Sequence, residues 1–62
     1  MKKAKYVLVN SKDEYFVEIN KLNKGVFTKD KKEARKMFYS DTEDLIPYLE
    51  KQNGVTIMAE QI

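Results

Sequence analysis

The chain has 62 residues, with 12 Lys+Arg against 10 Asp+Glu, four Tyr, three Phe, two Gly, one Pro and no Cys, His or Trp. That length holds one domain, assigned to residues 1–62, whose apolar burial outweighs chain entropy by only a small margin. Without Cys or His there is no disulfide framework, no thiolate or imidazole metal site, no Ser-His or Cys-His pair and no side chain that ordinarily titrates near neutrality, so the expectation is a non-enzyme without metal or cofactor in a reducing cytoplasm.

The basic lead-in Met1-Lys2-Lys3-Ala4-Lys5 is followed by an apolar run, Tyr6-Val7-Leu8-Val9, that stops at Asn10. This is short of a signal peptide's apolar region, and no segment reaches the ~18–20 apolar residues that cross a bilayer, so no membrane partner is expected. Ala4 to Asn10 and Tyr15-Phe16-Val17-Glu18-Ile19 are β-prone runs around a polar break at Ser11-Lys12-Asp13-Glu14, which predicts a hairpin. A two-residue turn at Lys12-Asp13 sets Asn10 opposite Tyr15, Val9 opposite Phe16, Leu8 opposite Val17 and Tyr6 opposite Ile19. One face then carries Tyr6, Leu8, Tyr15, Val17 and Ile19, and the other Val7, Val9 and Phe16 with Lys5 and Glu18.

Asn23-Lys24-Gly25 marks a turn, and Val26-Phe27-Thr28 is an extended piece leading into a helix. Asp30 and Glu33 have the spacing of a capping box, and Ala34, Met37 and Phe38 follow with helical periodicity, predicting a first helix of about two turns. Leu45, Ile46, Tyr48 and Leu49 predict a second helix. Pro47 is tolerated in a first turn and costs ~3 kcal/mol in a helix interior, so the expected start lies between Thr42 and Asp44, with the end at Asn53-Gly54. Val55 to Glu60 reads as a last strand.

These elements predict an α+β fold of two layers in the order β-β-α-α-β: a three-stranded antiparallel sheet with the first strand central, flanked by the last, and two short helices on one face. No internal repeat, linker or low-complexity stretch is apparent. Asp41, Glu43 and Asp44 read as helix N-terminal charges rather than as a metal site, and Gly25 and Gly54 are too far apart for a phosphate-binding loop.

Charge is the most informative feature. Residues 1–39 hold 11 Lys+Arg and 5 Asp+Glu, whereas residues 40–62 hold 1 and 5. Lys29, Lys31, Lys32, Arg35 and Lys36 would surround the first helix as a solvated face, as a surface for an acidic protein, or as a nucleic-acid-binding patch. Val7, Val9 and Phe16, on a sheet face that the helices leave uncovered, are the candidate interface for a homodimer or another partner.

The run Lys5-Tyr6-Val7-Leu8-Val9-Asn10, the following Glu14-Tyr15-Phe16-Val17, the segment from Phe27 through Thr28, Asp30, Glu33 and Ala34 to Lys36, and the aromatic Phe38 resemble small phage- and prophage-encoded proteins of Gram-positive bacteria. Pro47 departs from their unbroken second helix. The resemblance implies a binder of a host protein and carries over no functional residue. The expected function is therefore a non-enzymatic binding module for a host protein, with nucleic-acid binding and a structural homodimer as alternatives.

Overall fold

Two asparagines organise the first half of residues 5–62, the part of the chain that the computed structural model describes. Met1 to Lys3 of the basic lead-in, and Ala4 at the start of the expected first strand, lie outside the described residues. After the first strand, β1 (Tyr6–Asn10), the side-chain carbonyl of Asn10 accepts from the backbone N–H groups of Lys12 and Glu14, while Asp13 takes a left-handed φ of 63°. After the second, β2 (Tyr15–Ile19), Asn20 accepts from Leu22 and Lys24, and Asn23 has φ 62°. The backbone bonds also match: Asn10 N–H to Glu14 O and Asp13 N–H to Asn10 O recur as Asn20 to Lys24 and Asn23 to Asn20. The two loops are one motif used twice, an asparagine followed three positions later by Asp or Asn, the residue types that best tolerate the left-handed region after glycine.

Burial separates the two copies. Asn10 is 7% exposed and also donates to the Glu14 carboxylate, whereas Asn20 lies in solvent. Asn10→Ala leaves two loop N–H groups without their acceptor at a part-buried site and is expected to cost about 2 kcal/mol in urea unfolding, against less than about 1 kcal/mol for Asn20→Ala. Equal losses would show that the buried copy has no special part.

The first loop overturns the expected two-residue turn. Asn10 N–H bonds to Glu14 O, so three residues, Ser11 to Asp13, lie inside the closing pair, and Val9 rather than Asn10 stands opposite Tyr15. This one-residue slip reverses which residues of β2 share a face with Leu8. Phe16 joins Leu8 instead of Val7 and Val9, and both enter a core with Met37, Leu49 and Ile57.

The third strand, β3 (Gly25–Thr28), pairs antiparallel with β2 through a bulge between Phe16 and Glu18. The last strand, β4 (Ile57–Gln61), pairs antiparallel with β1, giving one sheet in the order β3-β2-β1-β4. The expected three-stranded sheet is thus four-stranded, because Val26 to Thr28 completes a hairpin rather than leading into a helix.

The expected first helix does not form. Asp30 does cap, its carboxylate accepting from Lys32 N–H, but only a 3-10 turn follows at Lys31–Glu33, and Ala34 is already extended. Beyond it the backbone bonds to the sheet: Arg35 N–H donates to Phe16 O, and Met37 exchanges both backbone hydrogen bonds with Tyr6, each at 2.9 Å. The hydrogen bond between Asn10 and Glu14 sets the alternation by which Tyr6 of β1 and Phe16 of β2 aim their backbone groups across the gap between those strands. Residues 35–37 therefore occupy the place where β1 and β2 diverge. A helix would have to give up these bonds, and the like-charge pairs Lys31/Arg35 and Lys32/Lys36 would oppose it as well.

The one α-helix among the described residues, α1 (Tyr39–Asn53), starts earlier than expected and keeps Pro47 in its interior. Its N-cap, Phe38, is extended, and its end follows the expectation, with Gly54 at φ 69° and its N–H on Glu50 O. The start is fixed by what precedes it: Met37 is pinned to β1, and the Tyr39 ring meets the Tyr6 ring at a centroid distance of 5.2 Å. Leu49 is fully buried, with Leu45 and Ile46 packed against the core. Helix and β3 approach so closely at Gly25 that a Cβ there would stand 2.9 Å from Leu49 Cδ2. Gln52 accepts from Gly25 N–H, and the Tyr48 hydroxyl and the Gln52 amide both donate to Asn23 O, tying α1 to the second loop.

Candidate binding surface

The five cations predicted for a helix stand instead on a strap, residues 29–37, that crosses the sheet. Val7 pairs with Glu60 of β4 and shares its face; Lys31 meets the Glu60 carboxylate at 3.3 Å. Val7 and Ala34 are both buried yet lie outside the helix-side core. The first part of the strap thus covers the sheet face opposite α1, and residues 35–37 bring the chain through to the helix side.

Local bonds hold the strap's shape. Thr28 Oγ1 accepts from Asp30 N–H and donates to Glu33 Oε1; Glu33 N–H donates to Asp30 O, and Ala34 N–H to Lys31 O. The bonds to Phe16 and Tyr6 anchor its far end in the sheet, and its start is held by Thr28, the last residue of β3. The acidic residues of the segment, Asp30 and Glu33, turn to these local bonds, while Lys29, Lys31, Lys32, Arg35 and Lys36 are all exposed. Lys31 is drawn to Glu60. An exposed pair of this kind contributes ~0–1 kcal/mol, so Lys31 remains available to a partner.

Arg35 is the residue around which the surface is organised. It lines a depression of about 220 Å³ with Lys5, Lys36, Met37, Phe38 and Asp41. It also lines one of about 350 Å³ with Phe16, Glu18, Ile19 and Leu45, and a third with Asp41, Asp44 and Leu45. Arg35 therefore has Lys5 and Lys36 around it in the first hollow and Glu18 and Asp44 in the other two, with Asp41 shared between the first and the third. Such open, shallow hollows suit protein contact better than enclosure of a small ligand. Among the described residues, no group of three or more His, Cys, Asp or Glu could hold a metal ion.

The other predicted surface is not there as a surface. Val7 is 1% and Phe16 2% exposed, and with Val9 half-buried the three do not share one face. The strap covers the Val7 side and the helix the Phe16 side, so the apolar patch expected from the wrong hairpin register is absorbed by both layers. Lys5 and Asp41 complete the Arg35 surroundings: Asp41, in the first turn of α1, lies only six positions after Arg35, whereas Lys5 lies 30 positions before it and is brought in by the pairing of Met37 with Tyr6.

No family model, curated protein or solved structure matches the chain. No helix among the described residues is long and apolar enough to cross a membrane.

Proposed function

We propose that the chain is a non-enzymatic binding module, acting in the cytoplasm, that docks on an acidic surface of a host protein through the strap residues Lys29, Lys31, Lys32, Arg35 and Lys36. One observation carries this reading: the five cations are exposed on a segment whose backbone is bonded to β1 and β2 at its far end and locked by side chains of Thr28 and Asp30 at its start. A prearranged cationic row loses little backbone entropy on binding and steers an acidic partner during encounter. The sequence resemblance to small phage-encoded proteins supports a bacterial host protein as that partner.

The test is capture from a nuclease-treated Gram-positive lysate by the unaltered chain and by a Lys32→Glu, Lys36→Glu double variant. Both side chains are exposed, so circular dichroism should be unchanged. A single captured protein should bind at least tenfold more weakly to the variant and release as salt rises. Capture indifferent to both changes would overturn the strap as the binding surface, and material lost on nuclease treatment would move the strap to nucleic acid.

A further inference from the structure

The β4 edge also carries backbone groups without a partner among the described residues. Ile62 N–H donates to Lys5 O at 3.0 Å, and the antiparallel alternation from that bond makes Val7/Glu60 and Val9/Met58 the hydrogen-bonded pairs of the β1–β4 ladder. Ile57, Ala59 and Gln61 accordingly turn their backbone groups away from β1. At Ile57 the outward N–H is already taken by the Glu50 carboxylate at 2.9 Å. The open length of edge therefore runs over Ala59 and Gln61. It carries no Pro, Lys or bulge, the usual devices that discourage strand pairing. At the opposite edge, the Gly25 N–H of β3 is occupied by Gln52.

We propose that this edge pairs antiparallel with the β4 edge of a second copy, with Ala59 opposite Gln61 in both directions. Four backbone hydrogen bonds form, two for each Ala59/Gln61 pair, and the Glu50 caps stay in place. Shifting the pairing to Ala59 opposite Ala59 would call on the Ile57 N–H that Glu50 holds. In the chosen register Met58 of each copy faces Ile62 of the other on the strap side of the sheet. These two side chains are 63% and 48% exposed in the single chain, and in a non-hydrogen-bonded pair they come into direct contact. Glu60 faces Glu60 at the centre, a like-charge contact that opposes the pairing and is offset only in part by the Lys31 that each carboxylate brings with it. The contact is smaller than a standard stable interface, so the dimer is concentration-dependent.

Sedimentation velocity from micromolar to millimolar protein tests this. The unaltered chain should rise toward twice its 7.3 kDa mass as concentration increases. Ala59→Pro removes an outward donor without touching a bond to β1, and Met58→Lys replaces an exposed apolar contact with a charge; each should leave a folded monomer throughout the range. A mixed sample of ¹³C-labelled and unlabelled chains should show a Met58–Ile62 methyl contact between copies, since those residues are too far apart along one strand to touch. A monomer at millimolar concentration, or a dimer that survives both substitutions, overturns the proposal.

Discussion

Phe16→Ala should abolish most of the stability of this protein, shifting urea unfolding by about 4 kcal/mol, within the range for emptying a buried aromatic site. A chain of this length has on the order of 3–9 kcal/mol in total, at typical stabilities per residue. Phe16 is the point at which every layer meets. Its ring lies among Leu8, Met37, Leu49 and Ile57 and meets the Phe27 ring edge-on at 5.9 Å, and its carbonyl anchors Arg35 of the strap. Truncation opens a cavity that β1, β3 and α1 cannot all close at once, because β1 and β2 are held apart by residues 35–37. The half-buried Val9 should lose no more than about 1.5 kcal/mol on truncation to alanine, since fewer methyl groups leave the interior. A loss below 1 kcal/mol at Phe16 would contradict its place at the centre of the core. A Phe16→Glu variant would correspondingly unfold the chain rather than report on a partner.

The opposite sign is expected for Pro47→Ala, which should stabilise the protein by about 2–3 kcal/mol. Pro47 is the ninth residue of α1 and exposed, so its ring is not needed in the core, and it has no N–H to offer the Glu43 carbonyl one turn earlier. Alanine restores that donor and brings the higher helix propensity. The measurement is the urea midpoint at unchanged slope, since a change in slope would mean that the unfolded or folded state had altered in compactness. A gain under 0.5 kcal/mol would show that α1 accommodates the proline without a missing bond.

The helix keeps its proline because its two ends are fixed by other contacts. Starting α1 near Asp44 would put Pro47 in the first turn, but it would withdraw Tyr39 from Tyr6 and leave the buried Thr42, whose hydroxyl donates to Tyr39 O at 2.6 Å, without its helical partner. At the far end Gly54 closes the helix and Glu50 reaches forward to β4. Local preference at Pro47 is outweighed by packing at both ends, which no reading of residues 44–48 alone contains.

The second hairpin and the failed helix have different origins, the first in a local loop motif and the second in bonds to the sheet. Asn10-x-x-Asp13 and Asn20-x-x-Asn23 are visible in the sequence as a repeat ten residues apart, and reading them as left-handed loop positions would have set the first register and turned Val26 to Thr28 into a strand. That signal is legible in the sequence, and it competes there with the shorter two-residue turn at Lys12-Asp13. The loss of the helix after Glu33 was not legible: the cap at Asp30 and the spacing of Ala34 and Met37 are genuine, and both of those residues are buried, but on opposite sides of the sheet.

By itself, the sequence determined the exclusion of thiol and imidazole chemistry, the β-prone runs, the Asp30 cap, the glycine end of α1, and the concentration of positive charge between Lys29 and Lys36, because each depends on residue type or on near neighbours. The partition between helix and strap, the face taken by Phe16, the start of α1 and the free edge of β4 were decided by tertiary structure. Each of these turns on where a backbone N–H or C=O finds its partner, and for Tyr6 with Met37 and Phe16 with Arg35 that partner lies some 20 to 30 residues away. Such distant bonds outcompete a weak local preference once the sheet exists to offer them.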